Sequence, residues 1–421
     1  MKNFIKQKKI LKTLLLLFPV IFILNIYSSV PGNLRIPENT TYEFSLRPFC
    51  SVTNRPSSTL PAANTVQAML SDNGGDISLN TGNTGEYSLS MKLFNCIPIK
   101  TINVTVTPKT YVVPSGSPIG VKLHTKGILI VSISDVTAVG NIQKSPGKAA
   151  GLKEGDRILA VNGTEVDSSE TFTKLVNEIR SAVTLTIARD DQTFDVQVTP
   201  ELSAEENKFK LGIWVRDSTA GIGTLTFYDP LNSAFGALGH AITDVDTGDV
   251  MTVNTGNIMG CKIISVTKGE SGTPGELTGS FSGKSLGAIA MNSELGIYGY
   301  INNFENLHAM EPVEVATRFQ IKEGAAVILA DVDGNGVGQY NVEIEKVSKS
   351  GGINNKGIIL KITDPVLMEK TGGIVQGMSG APILQNNMLV GAVTHVFVND
   401  PQRGYGIFAE NMLDMTNSLS N

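Results

Sequence analysis

The sequence predicts a mainly β protein built from several segments, and three observations carry that prediction. Glycine is abundant (43 of 421 residues) and is spaced between short Val-, Ile- and Thr-rich runs, the pattern of strands joined by tight turns. Long stretches with helical periodicity are few; the clearest, SSETFTKLVNEIR, stands alone between strand patterns. The length is enough for two or three domains with ordinary cores. A formal net charge of −5, with no long basic run beyond the N-terminus, argues against nucleic acid as the main partner.

Residues 1–30 read as a signal sequence or membrane anchor. MKNFIKQKKILK carries five lysines and is followed by the apolar TLLLLFPVIFILNIY, interrupted by Pro19 and Asn25. A basic flank before a short apolar core is an export signal, and the uninterrupted run is short for a span of about 17–25 residues. Everything after residue 30 is therefore expected outside the cytoplasm. Cys50 and Cys96 could pair in an oxidising compartment, though spacing alone does not establish the bond; Cys261 would be left over, and no His/Cys set has zinc spacing.

Residues 31–110 form a β-rich N-terminal region with patterns such as TYEFSLRPFC, GEYSLSMKLFNC and TINVTVTP between turn clusters. No chemistry is legible in it. Residues 111–200 are more specific. Two strand patterns in SPIGVKLHTKGILIVSISDV precede SPGKAAGLKEGDRILAVNGTEV, and a helix with Phe172, Leu175, Val176 and Ile179 on one face follows a cap at Asp167 or Ser168. Ser145 to Gly163 resembles a bacterial PDZ domain, a module that adds an extended peptide to a sheet edge and holds its C-terminal carboxylate on backbone amides. The resemblance implies a peptide-binding loop at Pro118, Ile119, Gly120 and Val121, with Phe172, Leu175 and Val176 on the opposite wall. Pro118 stands where the usual loop has glycine, and it donates no N–H.

Residues 201–421 alternate short strands with glycine turns over about the size of a serine peptidase domain. Serine catalysis needs a base, a group that orients the base, and amides for the oxyanion. Of the four histidines, His124 belongs to a strand and His308 to a polar stretch. His395 lies in the apolar GAVTHVFV and reads as a core or edge histidine. His240 ends SAFGALGH where a packed segment meets a loop, which suits a fixed base.

Two serines compete as nucleophile: Ser271 in GESGTPG and Ser379 in GMSGAP. The residues C-terminal to each serine decide between them. After Ser379 come an apolar strand, a Gln-Asn-Asn turn and a second apolar strand; after Ser271 there is no core strand. Ser379 is the expected nucleophile, with the Gly377 and Ser379 amides as oxyanion donors. The orienting acid stays open on the residues alone: Asp364 ends an apolar strand fifteen residues before Ser379, while Asp244, Asp246 and Asp249 come after His240 in a polar loop. DVDGNGVGQYNVE, from Asp331, mimics a calcium loop, but its twelfth position is Val342 and its flanks are strands, so a hairpin turn is expected.

The N-terminal hydrophobic segment, the PDZ pattern ahead of the peptidase segment, FGALGHAITD and TGGIVQGMSGAPI together resemble the stage IV sporulation protein B family of PDZ-bearing serine peptidases. HtrA-type peptidases carry the two domains in the reverse order. The resemblance implies a chymotrypsin-like β-barrel peptidase over 201–421 with a His240, Asp364, Ser379 triad and no cofactor. It implies export from the forespore into the surrounding intermembrane space, where the enzyme cleaves itself. It then cleaves a membrane-bound inhibitor of an intramembrane metalloprotease, and so triggers late sigma-factor processing during sporulation. The competing reading is a secreted PDZ adaptor with an inert C-terminal domain.

Overall fold

The computed structural model describes residues 17, 21–27, 30–45, 49–54, 69–72, 76–190, 192–305, 307–308, 310–349 and 354–419. Most of the expected export segment lies outside them. Of its described residues, 17 and 21–27 are helical, and no described helix is long and apolar enough to cross a membrane.

The chain divides into two compact units. The first is Met1–Tyr111 with two later segments, Glu314–Lys322 and Val347–Gly352. Its strands form a four-stranded sheet in the order Asn33–Pro37, Ile97–Thr107, Gly85–Leu93, Cys50–Asn54, and a three-stranded sheet of Thr41–Ser45, Asp76–Asn80 and Met69–Asp72. Strand alternation explains the core: Leu89 and Met91 on one strand, Ile102 and Val104 on its neighbour, point inward with Leu34, Ile36, Ile77 and Leu79. The thiols of Cys50, Cys96 and Cys261 are unpaired.

The second unit holds both His240 and Ser379. Its organising element is the sixteen-residue strand Pro118–Ile133. One edge pairs with Ile213–Tyr228 from Ile133↔Ile213 through to Pro118↔Thr224. The other edge changes partner midway. Residues 119–125 pair with Val253–Thr267, whereas Ile128 and Leu129 pair with Ile158 and Arg157. The changeover falls at Gly127, whose φ of 77° needs glycine and whose carbonyl accepts from the buried Thr125 hydroxyl.

Upstream of that bend the strand belongs to a closed ring of six antiparallel strands. The ring runs Pro118–Ile133, Ile213–Tyr228, Ala234–Ala237, Gly296–Ile301, Glu276–Ser293, Val253–Thr267 and back. It encloses Ile119, Val121, Leu123, Leu225, Phe235, Ile258 and Ile297. Downstream of the bend the strand joins the PDZ core of Ile128, Ile130, Ile158, Phe172, Val176, Leu185 and Ile187. The PDZ module therefore interrupts the ring between two of its neighbouring strands, rather than preceding a separate peptidase segment. A second group of strands pairs successively as Gly338–Val347, Gly324–Ala330, Pro382–Gln385, Met388–Phe397, Asp400–Phe408 and Ile358–Ile362.

Candidate active site

His240 and Ser379 line one cleft of about 470 Å³. His240 is delivered by the turn after Ala234–Ala237, in which Leu238 and Gly239 both have positive φ (66° and 71°). A leucine in that region costs about 1–2 kcal/mol, and such strain collects at functional sites. Gly239 is constrained by space as well, since an added Cβ would come within 2.8 Å of the Thr394 methyl.

Ser379 sits in a turn closed by Met378 N–H to Val375 C=O and Ala381 N–H to Met378 C=O. Gly377 and Gly380 flank the serine with φ of 97° and 95°, which is why the motif needs glycine on both sides of its Met-Ser pair. The strand Ile213–Tyr228 clamps this turn from the ring: Thr224 N–H donates to Ser379 C=O at 2.9 Å, and the Thr224 and Thr226 hydroxyls donate to the Gly377 and Gly380 carbonyls. After Ser379, Pro382–Gln385 and Met388–Phe397 form the expected hairpin, with Asn386 and Asn387 both at positive φ in its turn. Among the described residues, the Gly377 and Ser379 amides donate to no protein acceptor, so both remain available as oxyanion donors.

His240 Nδ1 lies 2.8 Å from the Ala241 carbonyl. A carbonyl only accepts, so Nδ1 carries the proton and Nε2 is left as the basic nitrogen. Burial lowers the His240 pKa, partly opposed by that carbonyl. Its neighbour is His395, with ring centroids 5.1 Å apart. Burial, together with the nearby His240 and Lys356, lowers the His395 pKa to about 4, and among the described residues its buried Nδ1 has no partner. Expected to be a core or edge histidine, His395 lies in the apolar strand Met388–Phe397 and also lines the cleft. The Ser379 hydroxyl donates to the Thr394 carbonyl at 2.9 Å, so in this conformation its proton is directed to the main chain.

Two sets of expected site residues are corrected by the structure. Asp364 is the N-cap of helix Pro365–Thr371, and its Oδ1 accepts from the Val366 and Leu367 amides. Its Oδ2 accepts from Asn341, and it makes no contact with His240. The Asp-Pro pair that looked like the end of a strand is a helix start. Asp244 does not reach His240 either; it is bound to Arg216. The group that holds the His240 ring is thus the Ala241 main-chain carbonyl, which no side-chain motif advertises.

The second correction concerns the peptide-binding loop. Ile119, Gly120 and Val121 lie mid-strand, paired on both edges, so their amides are not available to a ligand. A groove of about 420 Å³ lies between helix Ser169–Glu178 and Leu211–Val215. Phe172 and Val176 line it, while Leu175 packs on the PDZ core. Gly212 turns the chain at φ 67°, where a Cβ would meet the Ser134 carbonyl at 2.4 Å. Ile213 pairs with Ile133, while Ser134 N–H bonds Gly212 C=O. Ile213 is therefore in a non-hydrogen-bonded pair, and its own amide and carbonyl point away from the strand Pro118–Ile133. The missed signal was LGIW: a glycine between apolar residues at a strand start, with the chain's one tryptophan next to it.

The lookalike serine, Ser271, is exposed, bonds the Asn399 carbonyl and does not line the cleft. In the calcium-loop lookalike, Asp331 accepts from the Asp333, Gly334 and Gly336 amides, and the Lys370 ammonium lies on Asp333. The flanking strands form the expected hairpin.

Residues 207–413 match the family described as SpoIVB peptidase S55, and residues 119–199 match the PDZ domain. The comparison with curated proteins gave no match. Among solved structures, the inactive form of the Rv3671c protease is 13% identical over 48% of this chain and 85% of its own, with a TM-score of 0.28. The active form from M. tuberculosis is 13% identical over 47% and 72%, at 0.27. The HtrA-type protease AlgW with decapeptide is 12% identical over 51% and 54%, at 0.29.

Proposed function

The chain belongs, through residues 207–413, to the SpoIVB peptidase S55 family, and on that premise we propose an extracytoplasmic serine endopeptidase that uses His240 and Ser379 and cleaves itself. The observation that carries the site assignment is the cleft shared by the two residues, with the Gly377 and Ser379 amides uncommitted beside them. Catalysis begins when Ser379 rotates from the Thr394 carbonyl toward His240 Nε2. The imidazole takes the hydroxyl proton as Oγ attacks the scissile carbonyl, and the amides of Gly377 and Ser379 receive the oxyanion. The proton passes to the departing amine, leaving an acyl-enzyme that water hydrolyses by the same route. The Ala241 carbonyl holds the imidazole throughout, the part played by a carboxylate in Ser-His-Asp enzymes.

The rest of the cleft selects the substrate. Val121, Ile222, Ile242, Val245, Ile374 and Val396 line it, and among the described residues no Asp, Glu, Lys or Arg does, so a segment with apolar side chains at the cut fits. The PDZ groove takes an extended peptide as an added strand along Ile213–Val215. The family relationship supports a membrane-bound regulator of an intramembrane metalloprotease as the second substrate, and late sigma-factor processing in sporulation as the output. Purified wild type is expected to generate self-cleavage fragments that Ser379→Ala does not. Identical fragmentation of the two proteins would remove Ser379 as nucleophile and leave the inert-adaptor reading.

A further inference from the structure

Five consecutive residues of the strand Ile213–Tyr228 touch three different structures. Ile213, Trp214 and Val215 form one wall of the PDZ groove. Asp217 accepts from the amide and hydroxyl of Ser169, the first residue of the helix that forms the other wall. Between them, Arg216 reaches into the loop after His240. Its Nη1 lies 2.5 Å from Asp244 Oδ2 and its Nη2 lies 2.7 Å from Asp246 Oδ2.

Asp244 is built into that loop. Its side chain is fully buried, and its other oxygen accepts from the Asp246 and Thr247 amides. Two residues earlier, Ile242 exchanges hydrogen bonds with Asn292, which also holds the Met251 carbonyl. Ala241, Ile242, Thr243 and Val245 of the same loop line the catalytic cleft, and Ala241 supplies the carbonyl that fixes the His240 tautomer. Arg216 is therefore tied by two ion pairs to a loop that carries both the carbonyl on His240 and a wall of the cleft.

We propose that Arg216 and Asp244 are positioning residues that couple the PDZ groove to catalysis: a peptide added along Ile213–Val215 sets Arg216, which through Asp244 sets the His240 loop. This rests on the serine peptidase reading above. The physical basis is short range, because the residue that pairs with Asp244 is covalently next to the last groove residue. Asp217 gives the groove helix a second hold on the same strand.

Trp214 makes the two ends of this coupling separable. It is the only tryptophan, lies in the groove and is 65% exposed, so its emission reports groove occupancy independently of turnover. The test titrates full-length protein with synthetic octapeptides ending in Val, Leu or Phe with a free carboxylate. Trp214 emission is read in parallel with the rate at which a fluorophosphonate probe labels Ser379. In wild type the peptide that shifts Trp214 is expected to change the labelling rate about 10-fold, within the ~5–150-fold range of allosteric couplings. In Arg216→Met/Asp244→Asn, where the buried pair is removed together and only the half-exposed Asp246 loses a charged partner, the Trp214 titration is expected to persist while the labelling rate no longer responds. Arg216→Lys, which keeps one charged contact, is expected to recover part of the response. An undiminished response in the double variant overturns the proposal, and so does the absence of any Trp214 shift with all three peptides. A probe that labels Ser379→Ala as fast as wild type would instead overturn the peptidase assignment, leaving the Trp214 titrations to stand alone.

Discussion

Replacing Asp364 separates a structural aspartate from a catalytic one. In the structure its carboxylate accepts from two amides at the start of helix Pro365–Thr371 and from the Asn341 amide, and the residue is 8% exposed. Losing an N-cap acceptor costs about 1 kcal/mol, and leaving the Asn341 amide unsatisfied adds about 1–3 kcal/mol. Asp364→Ala is therefore expected to lower unfolding free energy by about 2–4 kcal/mol. Asn is also a good cap and keeps an acceptor oxygen, so Asp364→Asn is expected to lose less than about 1 kcal/mol. Neither change touches His240, so kcat in properly folded Asp364→Asn should stay within about threefold of wild type, whereas removing the acid of a Ser-His-Asp triad costs about 10⁴. Urea unfolding followed by far-UV circular dichroism gives the first quantity, and turnover of a fluorogenic peptide gives the second. A loss of about 10³ or more in kcat by Asp364→Asn, with its unfolding curve unmoved, would refute the backbone-carbonyl assignment.

Because burial lowers the His240 pKa, the neutral base persists into more acid solution than for an exposed histidine at about 6.5, and kcat/KM should rise to its plateau with a midpoint below that value. Stability has the same sign. His395 titrates near 6.5 when unfolded and about 4 when folded, so its contribution is whole above pH 6.5 and is lost as pH falls through that window; equilibrium unfolding at successive pH values reads it. Gly380→Ala would place a Cβ 2.1 Å from the Thr224 carbonyl at a φ of 95°, so about 3 kcal/mol of stability and nearly all probe labelling of Ser379 should go together. Survival of either at wild-type level would show that the turn relaxes.

How much could be read in advance depended on whether the signal was local. The turn that carries Ser379 was legible because its glycines and the apolar hairpin behind it are contiguous in sequence. The place of His240 after a packed strand was legible because LGH ends an apolar run, and the helix carrying Phe172 and Val176 because its period is plain. Asp364 misled because an aspartate before proline fits both a strand end and a helix cap, and only the fold shows which amides it meets. The PIGV loop misled for a related reason: its residues suit a PDZ loop locally, but Val253–Thr267, arriving from more than 130 residues later, pairs over them.

By itself the sequence determined the β-rich character, the PDZ module and the candidate nucleophile and base, since each rests on neighbouring residues whose conformation is set by sterics and hydrophobic period. Only the tertiary structure decided that the ring's first strand precedes the PDZ module, because strand partners are chosen by burying faces together across the whole chain. It also decided that a main-chain carbonyl orients His240 and that His395 stands beside it. A carbonyl is common to every residue, so its role is fixed solely by where the folded chain places it.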